Sequence, residues 1–494
     1  FFKLFRFSTN KNGRNLSEIQ EGKKIKMLLN GEWLDREETI EVTDPFDGST
    51  VDTVPSATLE DVDLAISTAV EGFEISKHLP THKKVDILYN TASLMKSRED
   101  DFSHLIARES SKTITEARKE VSRAINTITL SAEEARRTLG ESIPFDSFPG
   151  SENRVGYYFR VPIGIIIAIT PFNDPLNLVA HKVGPAIAGG NSVVLKPATV
   201  TPLSALKLAG IMLEAGLPPK VLSVITGHGN IIGDALVSDP RVRMISFTGG
   251  TEVGKRITQN AGIKKIGMEL GSNSPVIVLE DCDLDKAVEL SVSGSFWAAG
   301  QNCIGVQRIY IQKTVFNEFK EKFVAKTQQY KIGDKLKEET DMGPVISEPE
   351  AERIVLWVEE AVNEGASLLT GGKRQGTLVE PTVLEETPNE AKLSCDEIFG
   401  PVVSLYQIEN LKEGVKRSNS VNFGIQAAIF TQDVNNAFYA IQNLDAGGII
   451  VNDSTDYRLD MMPFGGVKMS GLGREGIKFA LQEMTEPKVV CFNL

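Results

Sequence analysis

The chain has 494 residues, 41% hydrophobic and 24% charged, an ordinary globular make-up whose length suits two large domains or about three smaller ones. Its 53 Lys and Arg against 66 Asp and Glu leave a net charge of −13, which argues against nucleic acid as a partner. Four cysteines (Cys282, Cys303, Cys395, Cys491) without a CxxC pair exclude a disulfide scaffold and point to a reducing, cytoplasmic setting with room for one reactive thiol.

Residues 1–26 begin with Phe and carry seven basic residues against two acidic ones. A targeting presequence looks partly like this, but an extension ahead of Met27 is the simpler reading. No segment approaches the roughly 18 to 20 consecutive apolar residues of a membrane span, so no membrane partner is expected. From about 57 to 140 the pattern is helical and amphipathic, with Leu59, Val62, Ala65 and Ala69, then Ile87, Leu88, Ala92 and Met95. His78 and His82 have the spacing of a helical metal site. Pro80 between them and the lack of a third ligand make this a surface turn, and no metal is expected.

Between 161 and 280 short β-branched runs alternate with helices: Ile163–Ile169, Asn191–Leu195, Val221–Ile225, Val242–Phe247 and Pro275–Leu279. Thr201-Pro202 reads as an N-cap with Pro at the first helical position, and Gly216 and Pro218 end that helix. Such alternation predicts a mostly parallel sheet covered on both faces, with ligands at the carboxyl ends of its strands. A second α/β stretch spans about 281 to 460, so two α/β domains fit the length better than three. Gly227-His-Gly229-Asn-Ile-Ile-Gly233 is one residue too long for GxGxxG and reads as a loop. Phe247-Thr-Gly249-Gly250-Thr-Glu-Val-Gly254 follows a strand and opens a helix, where free N–H groups can meet an anion.

Three segments carry candidate chemistry. Phe296-Trp-Ala-Ala-Gly-Gln-Asn-Cys303 surrounds a thiol with small residues, as attack on a substrate carbon requires. Gly267-Met-Glu269-Leu-Gly puts a carboxylate at a strand end, where burial would raise its pKa and suit a general base. Ile169-Thr-Pro-Phe-Asn173 puts an amide at another strand end, able to donate to an oxyanion. Singly, the first two have plain structural alternatives: an inert core cysteine and an ion pair.

ITPFN, TGGTEVG, MELG, GQNC, Glu397-Ile-Phe399-Gly-Pro and PFGGVKMSGLGRE ending at Glu475 occur in one order, and with them the chain from about residue 29 onward resembles the aldehyde dehydrogenase superfamily, most of all its lactaldehyde/glyceraldehyde branch. The resemblance implies an α/β aldehyde dehydrogenase fold: a Rossmann-like NAD(P) domain (27–143 and 163–269), a catalytic domain (270–465), and a bridging arm with C-terminal return (144–162 and 466–494). It implies that Cys303 attacks an aldehyde, that Asn173 and the Cys303 N–H hold the oxyanion, and that Glu269 activates the water that hydrolyses the thioester. It places the cofactor, NAD or NADP, against Thr170, Pro171, Phe172, Lys196, Thr199, Gly229, Gly249, Gly250, Leu270, Glu397 and Phe399. Thr199 stands where NAD-preferring relatives often carry Glu, so NADP is permitted. Gly250 replaces a frequent Ser, and Gln307 is unusual after the nucleophile.

Arg123 and Arg458 match positions that reach the distal end of polar aldehydes in relatives, their alternative being interface salt bridges. Asn302 before the nucleophile, rather than Arg, and the negative Asp174 beside Asn173 favour a small hydroxy- or carboxy-aldehyde (lactaldehyde, glyceraldehyde or a semialdehyde) over a phosphorylated one. Glu269 argues against a CoA-acylating enzyme, and a thiol hydrolase would need a His partner that neither His181 nor His228 obviously supplies. Gly156–Pro162 and Pro487–Asn493 resemble the arm that joins subunits, so a homodimer or homotetramer is expected.

Overall fold

The computed structural model describes residues 25–494, so the basic stretch at 1–26 lies outside the described residues apart from Ile25 and Lys26. An eight-stranded sheet has a parallel centre, in the order Leu222–Val224, Ser192–Lys196, Ile165–Ile169, Met244–Thr248, Lys265–Glu269. Antiparallel strands flank it: Met27–Leu29 with Glu32–Leu34 at one edge and Gly471–Leu472 at the other. The alternation of side chains along each strand divides its apolar residues between two cores. Ile166, Ala168, Val193, Leu195 and Met244 join one core with Val121, Ala124 and Val183 from covering helices. Ile165, Ile167, Val194, Ile245 and Phe247 join the other with Val62, Ala65 and Ala69.

The helical reading of 57–140 resolves into Leu59–Ser76, Thr81–Ser97, Glu99–Glu109 and Ile114–Ala135. His78 and His82 are exposed about the turn at Pro80, His82 already inside the second of these helices. Two local readings differ from the structure. The helix Leu203–Glu214 starts after Pro202, and the Thr201 hydroxyl makes no hydrogen bond. Its free N–H groups are met instead by the buried Glu109 carboxylate, which accepts from Leu203 N at 2.7 Å and Ser204 N at 2.8 Å. A long-range acceptor has replaced the local cap. Residues 229–233 are not a loop: the helix Gly229–Ser238 begins there, because Ile232 and Leu236, one turn apart, bury against the sheet.

The second sheet has seven strands: Ser367–Thr370, Thr382–Glu385, Val402–Ile408, Val306–Gln312, Ser274–Val278, Gln426–Phe430 and Gly448–Val451, parallel except for the first. A separate antiparallel sheet pairs Arg154–Pro162 with Thr485–Asn493 along their full lengths, with Glu141–Ile143 added outside. No helix among the described residues is long and apolar enough to cross a membrane.

Candidate active site

The strands Ile165–Ile169, Met244–Thr248 and Lys265–Glu269 end together, and the loops beyond them face the loop that carries Cys303. Asn173, Glu269 and Cys303 all line one cavity of about 340 Å³. The Asn173 amide donates to the Gln301 carbonyl at 3.0 Å, which ties it to the loop that carries Cys303 and leaves it a second N–H. Among the described residues the Cys303 backbone N–H donates to no backbone or side-chain acceptor.

The Cys303 loop is unusual backbone. The helix Leu284–Phe296 ends, and Ala298 (φ 51°), Ala299 (φ 55°) and Gly300 (φ 69°) then form a left-handed turn. For each alanine this costs about 1–2 kcal/mol. Gly300 allows the turn to press against the Gly400 carbonyl, where a Cβ would clash. The turn is held by hydrogen bonds from outside: Ala298 N donates to Glu116 Oε1 at 2.7 Å, and Ile346 N donates to the Gln301 side chain at 2.9 Å.

Burial pushes the Cys303 thiol up to about 12, with Arg458 opposing and Glu397 and Glu269 reinforcing the rise. Glu269 is raised well above the usual carboxylate range by burial and by the charge of Glu475, and its Oε2 has no hydrogen-bond partner. Burial also opposes the charge of Glu475, yet Lys182 and Arg458 hold its carboxyl far below the usual range. Lys182 donates to it at 2.9 Å and Arg458 at 3.1 Å. Two carboxyls in one site are thus shifted in opposite directions, Glu475 held ionised and Glu269 held protonated to higher pH than an ordinary carboxyl.

The cofactor candidates lie at the same strand ends. Lys196 closes its strand, and among the described residues its buried ammonium donates only to the Pro197 carbonyl, at 3.2 Å, while burial lowers its pKa to about 8. A cation with spare donors fits the hydroxyls of a ribose. The Thr199 hydroxyl donates to Gly227 O at 3.1 Å, joining the Lys196 loop to the helix that Gly229 opens. Gly250 caps the helix Thr251–Asn260, and a Cβ there would meet nothing within 4 Å, so its N-terminus is open to a phosphate. Gly249 N donates to Glu269 O at 3.1 Å, which joins this turn to the strand end at Glu269, and Leu270 packs on Gly254. Glu397 accepts from Ser272 N at 2.8 Å, and burial raises its carboxyl to about 7. Phe399 packs edge-on against Phe172 with ring centroids 5.7 Å apart, just past Thr170 and Pro171. Gln307, unusual in the sequence, has a local task. It donates to Ser272 O at 3.2 Å and accepts from Ile398 N at 3.3 Å, bracing both sides of Glu397. These residues fit a nicotinamide dinucleotide.

Both distal arginines line the cavity, and both are also ion-paired. Arg123 donates to Asp460 at 2.9 Å and Arg458 to Glu475, while the Nε of each is buried without a partner. Arg458 also lies over the Phe464 ring, 3.6 Å from its centroid. Asp174, expected to act as a bare negative charge, is instead ion-paired to Lys112, which also donates to Glu120 at 2.7 Å. His181 bonds Asp460 at 3.1 Å rather than a thiol. Lys182, Asp460, Glu116 and the role of Glu475 carry no motif of their own in the sequence; Lys182 and Asp460 lie near Asn173 and the last motif, and Glu116 lies near neither.

Residues 33–490 match the Aldehyde dehydrogenase family. The chain is 48% identical to aspartate-semialdehyde dehydrogenase 1 of Pseudomonas canavaninivorans, over 92% of this chain and 97% of that one. It is 44% identical to 3-sulfolactaldehyde dehydrogenase of Priestia aryabhattai, over 97% and 100%. Among solved structures, glyceraldehyde-3-phosphate dehydrogenase GapN of Methanocaldococcus jannaschii, complexed with NADP, superposes with a TM-score of 0.90 at 41% identity, covering 93% of this chain and all (100%) of that one. With the motifs, the fold and the converging thiol, amide and carboxyl, these place the chain in the aldehyde dehydrogenase family as an NAD(P)-dependent enzyme that oxidises an aldehyde.

Proposed function

We propose that Cys303, Asn173 and Glu269 carry the reaction and that the substrate is a small aldehyde with a hydroxyl or a single anionic group at its far end. The observation that carries this reading is the convergence of the three on one cavity whose wall also holds Arg123 and Arg458. The Cys303 thiol gives up its proton to solvent and its sulfur bonds the aldehyde carbon, whose oxygen, now an alkoxide, accepts hydrogen bonds from the Asn173 amide and the Cys303 N–H. The alkoxide then re-forms the carbonyl as the carbon–hydrogen bond breaks, leaving a thioester on Cys303, and a bound nicotinamide cofactor would supply the acceptor for the released hydride. Glu269 then takes a proton from water, whose oxygen displaces Cys303 from the thioester and releases the carboxylate. Lys196, Thr199 and Glu397 would hold the riboses, Gly229, Gly249 and Gly250 would admit the pyrophosphate, and Thr170, Pro171, Phe172, Leu270 and Phe399 would line the rest of the cleft.

The far-end preference rests on the Arg123 and Arg458 guanidinium groups in the cavity wall and on the relatives, which are named for a semialdehyde, a sulfonated lactaldehyde and glyceraldehyde 3-phosphate. The test is kcat/KM for lactaldehyde, succinic semialdehyde, glyceraldehyde 3-phosphate and propionaldehyde with each cofactor, with and without CoA. Arg123→Ala and Arg458→Ala are each expected to lower the ratio of anionic to neutral substrate by about tenfold. An unchanged ratio in both variants overturns the far-end reading, and dependence on CoA overturns the role of Glu269.

We also place the domain boundaries at 27–143 and 163–269, 270–465, and 144–162 with 466–494, in a cytoplasmic homodimer or homotetramer. The support for assembly is the arm sheet, where Val155, Tyr157, Phe159 and Phe492 stand exposed on one face. Light scattering after size exclusion is expected to give a multiple of 53.9 kDa; a monomer overturns the assembly.

A further inference from the structure

Glu116 is a buried carboxylate with two distant obligations. It is the third residue of the helix Ile114–Ala135 and forms a capping box with Thr113: Glu116 Oε2 accepts from Thr113 N at 2.8 Å, and Glu116 N donates to the Thr113 hydroxyl at 3.3 Å. Its other oxygen leaves the helix altogether and accepts from Ala298 N, 182 residues along the chain, at 2.7 Å. Ala298 opens the left-handed turn whose far end is Gln301, the residue whose carbonyl receives the Asn173 amide. Two successive alanines with positive φ persist only where the surroundings over-determine them. The helix-capping oxygen would be satisfied without the reach to Ala298, so the reach is a separate function of the side chain.

We propose that Glu116 is a positioning residue for the nucleophile, its Oε1 fixing the left-handed turn that aims the Cys303 sulfur and the Cys303 N–H into the cavity. The proposal rests on the reading of Cys303 as nucleophile. It assigns one oxygen to stability and the other to reactivity, and the two can be separated. The helix Leu59–Ser76 shows how, because its capping box is made by Thr58 with an aspartate, Asp61. Glu116→Asp therefore keeps the cap while withdrawing the carboxylate from Ala298. Thr113→Ala does the reverse, losing the hydroxyl of the cap and leaving the bond to Ala298. Glu116→Gln keeps an amide oxygen able to reach Ala298.

The experiment measures the rate at which iodoacetamide alkylates Cys303, followed by mass spectrometry of its peptide, together with kcat and KM for propionaldehyde and Tm. Glu116→Asp is expected to slow alkylation and lower kcat by about tenfold, with KM within about threefold, because misaim acts on the chemical step rather than on binding. Glu116→Gln is expected to recover most of both. Thr113→Ala is expected to lower Tm and leave alkylation within about twofold, since a lost cap acts on helix stability alone. Alkylation unchanged in Glu116→Asp, or slowed as much in Thr113→Ala, overturns the proposal. Cys303→Ala tests the underlying reading separately: turnover surviving in it removes Cys303 as nucleophile, whatever the Glu116 variants do.

Discussion

Glu269→Gln is expected to release a stoichiometric burst of reduced cofactor and then to stall, with steady-state turnover lower by about 10²- to 10⁴-fold, the usual worth of a positioned base. The substitution is nearly isosteric. That matters here, because Glu269 Oε1 lies 2.8 Å from the position a Cβ on Gly465 would occupy, so the carboxyl packs close against the Gly465 backbone. What the substitution removes is the only basic oxygen pair at the end of Lys265–Glu269. Burial and Glu475 raise the carboxyl of Glu269, so its basic form grows as pH rises, and wild-type turnover should rise with it. The variant loses that group, and hydroxide from solvent must replace it, so its residual rate should climb with pH without levelling off. Rapid-quench or stopped-flow measurement of the reduced nicotinamide separates the two phases. Loss of the burst as well as the turnover would move Glu269 to the step that forms the thioester, and undiminished turnover would remove it from the chemistry.

The parts of this site that were legible beforehand are those encoded in consecutive residues. The apolar run Ile165–Ile169 declares a buried parallel strand because both of its faces must be covered, and the motif around Cys303 names its own flanking residues. Periodicity and caps are local signals, however, and the groups that tune the site are chosen by tertiary approach. Glu116 reaches Ala298, Arg123 reaches Asp460 across 337 positions, and Glu109 caps a helix that Thr201 was expected to cap. No spacing rule connects such pairs. The same limit explains Asp174, whose charge stands alone in the sequence and beside Lys112 in the fold.

The electrostatics follow from the same pairings. Lys182 and Arg458 keep Glu475 ionised, and its charge adds to burial in raising Glu269 while the same two cations oppose that rise. A carboxylate that merely sat at a strand end would have no such second control. The paired anion therefore converts a buried acid into a tunable base, and Arg458 acts on both the thiol and the acid from one position.

Asn173→Ala carries the second large effect, about 10²- to 10³-fold in kcat, the measured worth of a single oxyanion donor in a site that excludes water. One of its two amide hydrogens is spent on the Gln301 carbonyl, so the variant loses both a donor to the oxyanion and a tether of the nucleophile loop. The two losses have different signatures. Alkylation of Cys303 by iodoacetamide develops no oxyanion, so it responds only to the tether. With Glu116 and the Gln301 side chain still holding the turn through Ala298 N and Ile346 N, that response should stay within a few-fold while turnover collapses. Asn173→Asp, which has the shape without the N–H donors and adds a charge of the wrong sign, should lose at least as much turnover as the alanine. If alkylation fell in parallel with kcat in both variants, Asn173 would be a support of the loop rather than the oxyanion donor, and the hole would have to be built from the Cys303 N–H and another group.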